Sequence, residues 1–355
     1  NGQTMRKRVV LTPMTICASE PGGYVSQADI DFFARRSRSV GMVITGSTYV
    51  HPLGKSFAES FSGAEDDKIE GLSRLAKAIK DQGALAIVQL YHGGRMVLPD
   101  LIDGQPVAPS AVKAPRDYLA EPRALKNAEV EQVIEDFLSA IRRAIQAGFD
   151  GVELHGANTY LIQQFVSPHS NVRQDKWGGS LNNRLRFPKT LLKRAKQLVK
   201  EEADRPFLIG YRFSPEEIEE PGIQLYDTLQ LLEQLIYHQV DYLHISTSDV
   251  WRSSIRDSQD SEPVIQKIIR KINDRVPLIG VGQIETKQDA QRVLDAGIPL
   301  FALGKALLLD PDWTEKVVSG REAEVIRAYR DELQADLALP TAFVEDARSY
   351  LEGKD

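Results

Sequence analysis

Short apolar segments alternate with longer amphipathic segments along most of the chain. The apolar segments read as nearly continuous hydrophobic runs, which is typical of parallel strands that are covered on both faces. Eight strands are predicted, at Val9–Met14, Met42–Val50, Ala84–His92, Gly151–Ala157, Phe207–Ser214, Tyr242–Ser248, Pro277–Ile284 and Leu300–Leu307. Four glycines stand just before or at a strand start and are expected to end the preceding helix in a left-handed conformation: Gly41, Gly83, Gly148 and Gly297.

The amphipathic segments between these strands show helical periodicity. The predicted helices are Gln27–Val40 after a Ser26 cap, Asp66–Gln82, Asn127–Ala147, Asn183–Ala203, Tyr226–Gln239, Ser261–Asp274 and Thr286–Ala296. Eight strands alternating with helices indicate an α/β fold, a closed parallel (β/α)8 TIM barrel. An open doubly wound sheet is the alternative, and the lack of a Gly-x-Gly-x-x-Gly turn after the first strand favours the barrel.

The chain shows no linker and no break in composition, so residues 1–355 are predicted to form a single domain. The charged tail from about Arg321 is expected to be helical and to pack outside the barrel. Two connections, Gly93–Lys126 and Ser167–Asn182, are predicted to be irregular excursions over one barrel end. The segment Arg173–Phe187 either contacts ligand or forms a charge-paired loop, and its glycine turns favour the loop. Trp251 and Arg252 either line a substrate mouth or pack the loop.

Composition and charge narrow the function classes. The 355 residues suit a barrel with insertions, and a net charge of −6 without a basic stripe argues against nucleic-acid binding. The single cysteine, Cys17, excludes a disulfide or a cysteine-held cluster within the chain and predicts a cytoplasmic location. No apolar run approaches the roughly 20 residues that a membrane span needs, so no membrane partner is expected.

Polar residues collect where the predicted strands end, which is where barrel enzymes carry their active sites. Arg212 ends an apolar strand, and a buried guanidinium needs an anion or an electron-rich partner. Gly304 and Lys305 suggest a phosphate site, a feature common to many barrels. Gln89 and His92 are equally consistent with satisfying buried backbone groups.

Several motifs, in this order, carry a family resemblance. They are Pro13-Met14-Thr15, Gln89-Leu90-Tyr91-His92-Gly93-Gly94-Arg95, the segment from His155-Gly156-Ala157-Asn158-Thr159-Tyr160 to Ser167-Pro168, and Arg173–Phe187. From Val9 to about Trp313 the chain resembles the Old Yellow Enzyme family of FMN-dependent ene-reductases and NAD(P)H:flavin oxidoreductases. The resemblance implies non-covalent FMN, NADH or NADPH as electron donor, and no metal.

The resemblance also implies roles for individual residues. His155 and Asn158 hydrogen-bond the ligand oxygen and Tyr160 donates a proton. The cofactor site comprises Thr12, Pro13, Met14 and Thr15, with Thr15 near flavin C4=O; Gly46 against the ring; Gln89 and His155; Arg212 beside the N1–C2 carbonyl; and Gly282, Gln283, Gly304 and Lys305 around the phosphate. The family usually has Arg at the last position, and Lys305 binds phosphate as a point charge instead of a bidentate fork.

The implied function is ping-pong hydride transfer from NAD(P)H through flavin N5 to activated alkenes, such as enones and nitroalkenes. One alternative is a flavin-free barrel lyase or isomerase that acts on a phosphorylated substrate with Lys305 as a Schiff-base residue. Another is an FMN-binding barrel that acts in sensing or redox partnering. The expected partner is a small-molecule substrate. The sequence leaves open the physiological substrate, the choice of nicotinamide and the oligomeric state, a homo-oligomer included.

Overall fold

The computed structural model describes residues 2–352, and within them eight parallel strands close into a barrel. The strands are β1 Val9–Leu11, β2 Met42–Tyr49, β3 Leu85–Tyr91, β4 Gly151–Gly156, β5 Leu208–Phe213, β6 Tyr242–Ile245, β7 Leu278–Val281 and β8 Leu300–Leu303. Each strand pairs with the next along the chain, and β8 closes on β1 through the pairs Val9–Phe301 and Leu11–Leu303. The predicted (β/α)8 barrel is confirmed.

Helices cover the barrel and extend into the tail. They are α1 Gln27–Ser37, α2 Ile69–Asp81, α3 Asn127–Gln146, α4 Leu161–Val166, α5 Leu181–Arg184, α6 Arg186–Glu202, α7 Leu225–Tyr237, α8 Val264–Ile272, α9 Lys287–Asp295, α10 Lys305–Leu309, α11 Trp313–Val318 and α12 Thr341–Glu352. The predicted Ser26 cap of α1 is confirmed. The Ser26 hydroxyl accepts the N–H of Asp29 at 3.0 Å, and the Asp29 carboxylate accepts the N–H of Ser26 at 2.9 Å.

The predicted strands run too far at their C-terminal ends. The strand predicted over Leu300–Leu307 ends at Leu303, because Gly304 leaves the extended conformation (φ −109°, ψ −89°) and α10 begins at Lys305. The apolar run that followed Gly304 is a short helix in which Leu307 and Leu308 are buried. Hydrophobicity alone does not distinguish a buried short helix from a strand.

The glycines before the strands have two different roles. Gly83, Gly148 and Gly297 adopt left-handed φ values of +92°, +84° and +85°, as predicted for helix ends. The same prediction is wrong for Gly41, which has no left-handed φ. A Cβ at Gly41 would lie 2.1 Å from the carbonyl oxygen of Lys7, so glycine is required there for close approach of two backbone segments.

The tail is only partly helical. The prediction of a regular helix from Arg321 is wrong for residues 321–340, whose helical structure is limited to the short 3₁₀ helices Glu322–Glu324 and Asp331–Leu333. Pro340 precedes α12, where the regular helix begins. The tail contacts the outer helix α1, where the buried Arg36 donates to the carbonyl of Leu337 at 2.9 Å. Residues 353–355 of the tail lie outside the described part.

The two long connections, Gly93–Lys126 and Ser167–Asn182, are joined by hydrogen bonds. The first contains a two-residue parallel pair, Val107–Ala108 with Arg123–Ala124. Arg173, in the second, donates to the carbonyl of Pro109 at 2.8 Å and pairs with Asp175 at 2.7 Å. These contacts favour a structural role for the loop that contains Arg173 over direct contact with ligand.

Candidate active site at the C-terminal end of the barrel

Strand register places inward-facing polar side chains next to one another at the barrel's C-terminal end. Gln89 on β3 is in register with Glu153 on β4, and His155 on β4 is in register with Arg212 on β5. Arg212 is in turn in register with His244 on β6. Because residues two apart on a strand face the same side of a sheet, Glu153 and His155 share the interior face of β4.

A cavity of about 460 Å³ lies where β1, β7 and β8 end. This volume falls within the range of about 300–1,000 Å³ that small-molecule sites occupy. The structure brings seven of the predicted site residues together in its lining: Thr12, Pro13, Arg212, Gly282, Gln283, Gly304 and Lys305. Tyr350 of α12 also lines the cavity, although it was not predicted as a site residue.

Three further predicted residues, Met14, Thr15 and Gly46, line a separate cavity of only about 10 Å³. The Thr15 hydroxyl accepts the N–H of Ser47 at 3.1 Å, so it joins the segment after β1 to β2. A Cβ at Gly46 would lie 2.6 Å from the carbonyl oxygen of Met14. Backbone packing therefore already explains the glycine at position 46, whether or not a ligand ring also lies against it.

Arg212 lines the larger cavity, and its side chain is almost completely buried, with 9% of the residue exposed. Its Nε has no hydrogen-bond partner within residues 2–352, and neither has the buried Thr12 hydroxyl in the same lining. Burial lowers the pKa of Arg212, while Glu153 and Tyr160 act in the opposite direction. A guanidinium remains charged in proteins, so these donors suit an electron-rich ligand edge.

The glycine-rich end of the cavity is shaped by backbone conformation. Gly282 has a φ of +113°, and a Cβ there would lie 2.7 Å from the backbone N of Asp249. Gln283 is also left-handed, with a φ of +49°. The Lys305 ammonium lies 4.7 Å from the centre of the Tyr350 ring, which holds it at the cavity by a cation–π contact. The space in the cavity, the backbone at Gly282 and Gln283, and the Lys305 cation together suit a phosphate group.

His155 and Tyr160 are in direct ring contact beside Arg212. Their centroids lie 4.9 Å apart in an edge-to-face arrangement. Burial, followed by the positive charge of Arg212, holds the pKa of His155 well below its usual value, so the ring is neutral. His155 Nδ1 accepts the N–H of Ala157 at 3.3 Å. The ring proton must therefore be on Nε2, which makes His155 a neutral hydrogen-bond donor.

Tyr160, the last residue of the segment His155–Tyr160, has a protonated hydroxyl. Burial raises the pKa of Tyr160 to about 12, although Arg212 and Arg116 act in the opposite direction. Its ring also packs against Tyr91, at 5.2 Å between centroids. Tyr160 can consequently hold a transferable proton throughout the physiological pH range.

Asn158 lies in a strained turn at the mouth of the barrel. Asn158 and Thr159 both adopt left-handed backbone, with φ values of +56° and +62°. The Asn158 N–H donates to the Ser214 hydroxyl at 3.0 Å, and the Ser246 hydroxyl donates to Asn158 Oδ1 at 2.7 Å. Because Oδ1 already accepts a hydrogen bond, the amide N–H₂ is the part available to a ligand. Such strain is retained where surrounding contacts fix it, often at functional sites.

Gln89 belongs to a buried network that sequence reasoning missed. Its Nε2 donates to Glu153 at 2.8 Å, and its Oε1 accepts from the Ser47 hydroxyl at 3.2 Å. The second oxygen of Glu153 bonds His244 Nδ1 at 2.9 Å. Glu153 stands two residues before His155 on one strand face, a spacing that could have identified it. His244 within an apolar strand gave a weaker signal.

Other residues singled out in the sequence have structural contacts. His92 Nδ1 accepts the N–H of Gly94 at 3.0 Å, which favours its role in satisfying backbone. Arg292 lies over the Trp251 ring at 4.2 Å, and Arg252 pairs with Glu216 at 3.3 Å. These contacts favour loop packing for Trp251 and Arg252. Over residues 2–352, no helix is both long and apolar enough to cross a membrane.

The buried histidines predict a loss of stability in acid. Burial lowers the pKa of His92 from 6.5 to about 3 and that of His155 well below 6.5. Below a pH of about 6.5 the unfolded chain binds protons that the folded chain does not, so stability is fully present above this pH and lost below it. The free energy of unfolding should fall by up to about 1.4 kcal/mol per pH unit for each histidine.

Urea unfolding at a series of pH values measures this slope. The matched variant is His92→Asn, which keeps an acceptor for the Gly94 N–H and removes one titrating ring. Its slope should be smaller than that of the unsubstituted chain. An equal slope would show that His92 does not contribute.

The protein family that matches this chain and the similar proteins found by comparison agree with each other. Residues 1–324 match the NADH:flavin oxidoreductase / NADH oxidase family. The chain is 47% identical over 329 residues to an NADH:fumarate oxidoreductase of Klebsiella pneumoniae (strain 342), covering 92% of this chain and 36% of the relative. It is 44% identical over 326 residues to the probable NADH-dependent flavin oxidoreductase YqiG of Bacillus subtilis (strain 168), covering 92% and 87%.

A solved structure supports the same relationship. The old yellow enzyme homologue from Zymomonas mobilis superimposes with a TM-score of 0.76 at 26% identity, over 88% of each chain. The chain spans little more than a third of the length of the Klebsiella relative, at 36%, but most of the length of YqiG, at 87%.

Proposed function

The chain belongs to the NADH:flavin oxidoreductase / NADH oxidase family, and we propose on this basis that it binds FMN and transfers hydride from NADH or NADPH to activated alkenes. The observation that carries the proposal is the buried Arg212, whose Nε lacks a partner at the edge of a cavity of about 460 Å³. Family membership weighs against the flavin-free lyase or isomerase alternative.

The residues around the larger cavity suit FMN, and the other predicted residues lie on or shortly after neighbouring strands. Arg212 would bind the electron-rich N1–C2 edge of the ring, and Gln89 would use its remaining amide hydrogen and lone pair at the pyrimidine edge. Gly282, Gln283, Gly304 and Lys305 would hold the phosphate, while Thr12, Pro13, Met14, Thr15 and Gly46 would lie along the ring and its side chain. When bound, FMN supplies the ring that accepts a hydride from the nicotinamide and donates one to the second substrate.

His155 and Asn158 would bind the oxygen of that second substrate. His155 is a neutral donor through Nε2, and Asn158 has its amide N–H₂ available. Hydrogen bonds to an oxygen on which negative charge develops favour the transition state over the ground state. Neutral donors suit a carbonyl or nitro oxygen and make the β-carbon of an alkene electrophilic.

Tyr160 would deliver the proton that balances the hydride. Reduction of a carbon–carbon double bond adds hydride to the β-carbon and a proton to the α-carbon, and the Tyr160 hydroxyl is the protonated group next to His155. The proton leaves Oη, and solvent must restore it, since the nicotinamide supplies only a hydride. Arg212 beside Tyr160 stabilises the phenolate that is left.

A panel of electron acceptors tests the substrate class. The FMN-loaded protein is reduced anaerobically with NADH and then mixed with an enone, a nitroalkene, fumarate, a quinone or oxygen in a stopped-flow instrument. Enones and nitroalkenes should reoxidise it rapidly, with ping-pong kinetics in the steady state. If only quinone or oxygen reoxidises the protein, the alkene-reductase assignment is wrong. If none of them does, electron transfer to a partner or a sensing role is favoured.

A further inference from the structure

Glu153 is a fully buried carboxylate on β4, two residues before His155, with 0% of its side chain exposed. It lies on β4 between Gln89 on β3 and Gly210 on β5 in the strand register. An isolated buried carboxylate is costly, so a chain retains one only where it is paired and hydrogen-bonded. The proposed reaction does not use this residue directly.

The contacts of Glu153 fix the orientation of Gln89. An ionised carboxylate can only accept, so the amide nitrogen of Gln89 must face Glu153, where it lies at 2.8 Å. The amide oxygen then faces the Ser47 hydroxyl, at 3.2 Å. The two alternative amide orientations, which often cannot be distinguished, are resolved here by hydrogen-bonding chemistry. The polar edge that Gln89 presents to a ligand therefore depends on Glu153.

The charge of Glu153 is balanced inside the barrel. Burial alone would raise its pKa, but His244, Arg212 and Gln89 together hold the pKa of this carboxyl below its usual value. Burial also lowers the pKa of His244, which then donates to Glu153 from Nδ1 as a neutral ring. Arg212 supplies the opposite full charge, since each of the two residues stabilises the charged form of the other. Their opposite charges sum to zero.

We propose that Glu153 is a positioning residue that orients Gln89 and offsets the charge of Arg212, and thereby limits how much more tightly reduced flavin is held than oxidised flavin. The inference rests on the proposed function. Negative charge increases at the pyrimidine edge when flavin takes up electrons, so Arg212 favours the reduced form and Glu153 opposes it. The balance between the two sets the midpoint potential of the bound cofactor.

The substitution Glu153→Gln tests this charge balance. It keeps the size of the side chain, and its amide can still bond Gln89 and His244 once His244 adopts its other tautomer. The dissociation constants of oxidised and reduced FMN are measured anaerobically, together with the midpoint potential. The ratio of the two constants should move by about tenfold towards the reduced form, and the potential should become more positive.

Ser47→Ala is the matched control, because it removes the other hydrogen bond of Gln89 without a change of charge. It should shift the ratio much less than Glu153→Gln does. Equal ratios in Glu153→Gln and the unsubstituted protein would overturn the inference, since a purely structural carboxylate would change stability and leave the ratio untouched. If the unsubstituted protein binds no FMN, the proposed function itself fails.

His244→Phe keeps the test decisive if Glu153→Gln does not fold. This variant retains the Glu153 carboxylate and removes one of the two hydrogen-bond donors to it. The charge of Glu153 is then less compensated and opposes reduced flavin more strongly. Measured at a pH well above the usual pKa of a carboxyl group, the ratio should move towards the oxidised form. A ratio equal to that of the unsubstituted protein would again contradict the role of Glu153.

Discussion

Replacement of Tyr160 by Phe is expected to slow alkene reduction by about 100-fold or more, while reduction of the protein by NADH remains nearly unchanged. General acid catalysis contributes about 10²–10⁴-fold, and only the alkene half-reaction consumes a proton at carbon. The substitution keeps the ring that packs on His155 at 4.9 Å and on Tyr91 at 5.2 Å. Stopped-flow measurement of the two half-reactions separates the effects.

Tyr91→Phe is the control for this prediction. Tyr91 is a buried neighbour of Tyr160, but its hydroxyl accepts the backbone N–H of Ser56 at 2.9 Å. Loss of that hydroxyl should lower stability and leave the ratio of the two half-reaction rates unchanged. Equal slowing of both half-reactions in Tyr160→Phe, or a Tyr91→Phe variant that behaves like it, would show that Tyr160 is not the proton donor.

Replacement of Arg212 by Met is expected to weaken FMN binding by about 100-fold. Charge-assisted hydrogen bonds contribute about 1.5–3 kcal/mol each, and about 2.7 kcal/mol corresponds to a 100-fold change in Kd. The fold should tolerate the change. Removal of a buried donor that lacks a partner should raise the stability of the variant, while loss of the charge that compensates Glu153 should lower it. Fluorescence titration of the apoprotein with FMN measures the affinity, and urea unfolding measures stability.

Arg212→Lys separates charge from geometry. It keeps the positive charge but has no planar fork, so its affinity should lie between those of Arg212→Met and the unsubstituted protein. A folded Arg212→Met variant with unchanged affinity would mean that this guanidinium does not contact the cofactor. The unpartnered Nε would then need another explanation.

The barrel was predictable because each strand is an apolar run between amphipathic helices. The ends of the strands were not predictable, since Leu307 and Leu308 are as hydrophobic as strand residues and yet lie in α10. The left-handed glycines were predicted correctly where helices end, but Gly41 owes its identity to the backbone of Lys7, which is distant in sequence. A local sequence pattern does not indicate that two backbone segments pack closely against each other.

The candidate site was predictable to a similar degree. Residues that end different strands, such as Arg212 and Lys305, line one cavity because barrel topology brings strand ends together. The Glu153–His244 pair was missed, since a contact between β4 and β6 depends on side-chain reach across the barrel. Tyr350 was missed because its position depends on how the tail packs. The roles assigned to His155, Asn158 and Tyr160 stay predictions.

An anaerobic titration of the FMN-loaded protein with NADH, and separately with NADPH, tests the central claim most directly. The protein should take up FMN in a stoichiometric ratio, and the visible absorbance of the flavin should be lost on addition of at least one of the two nicotinamides. A chain that is folded but takes up no FMN would contradict the claim, as would bound FMN that neither nicotinamide reduces.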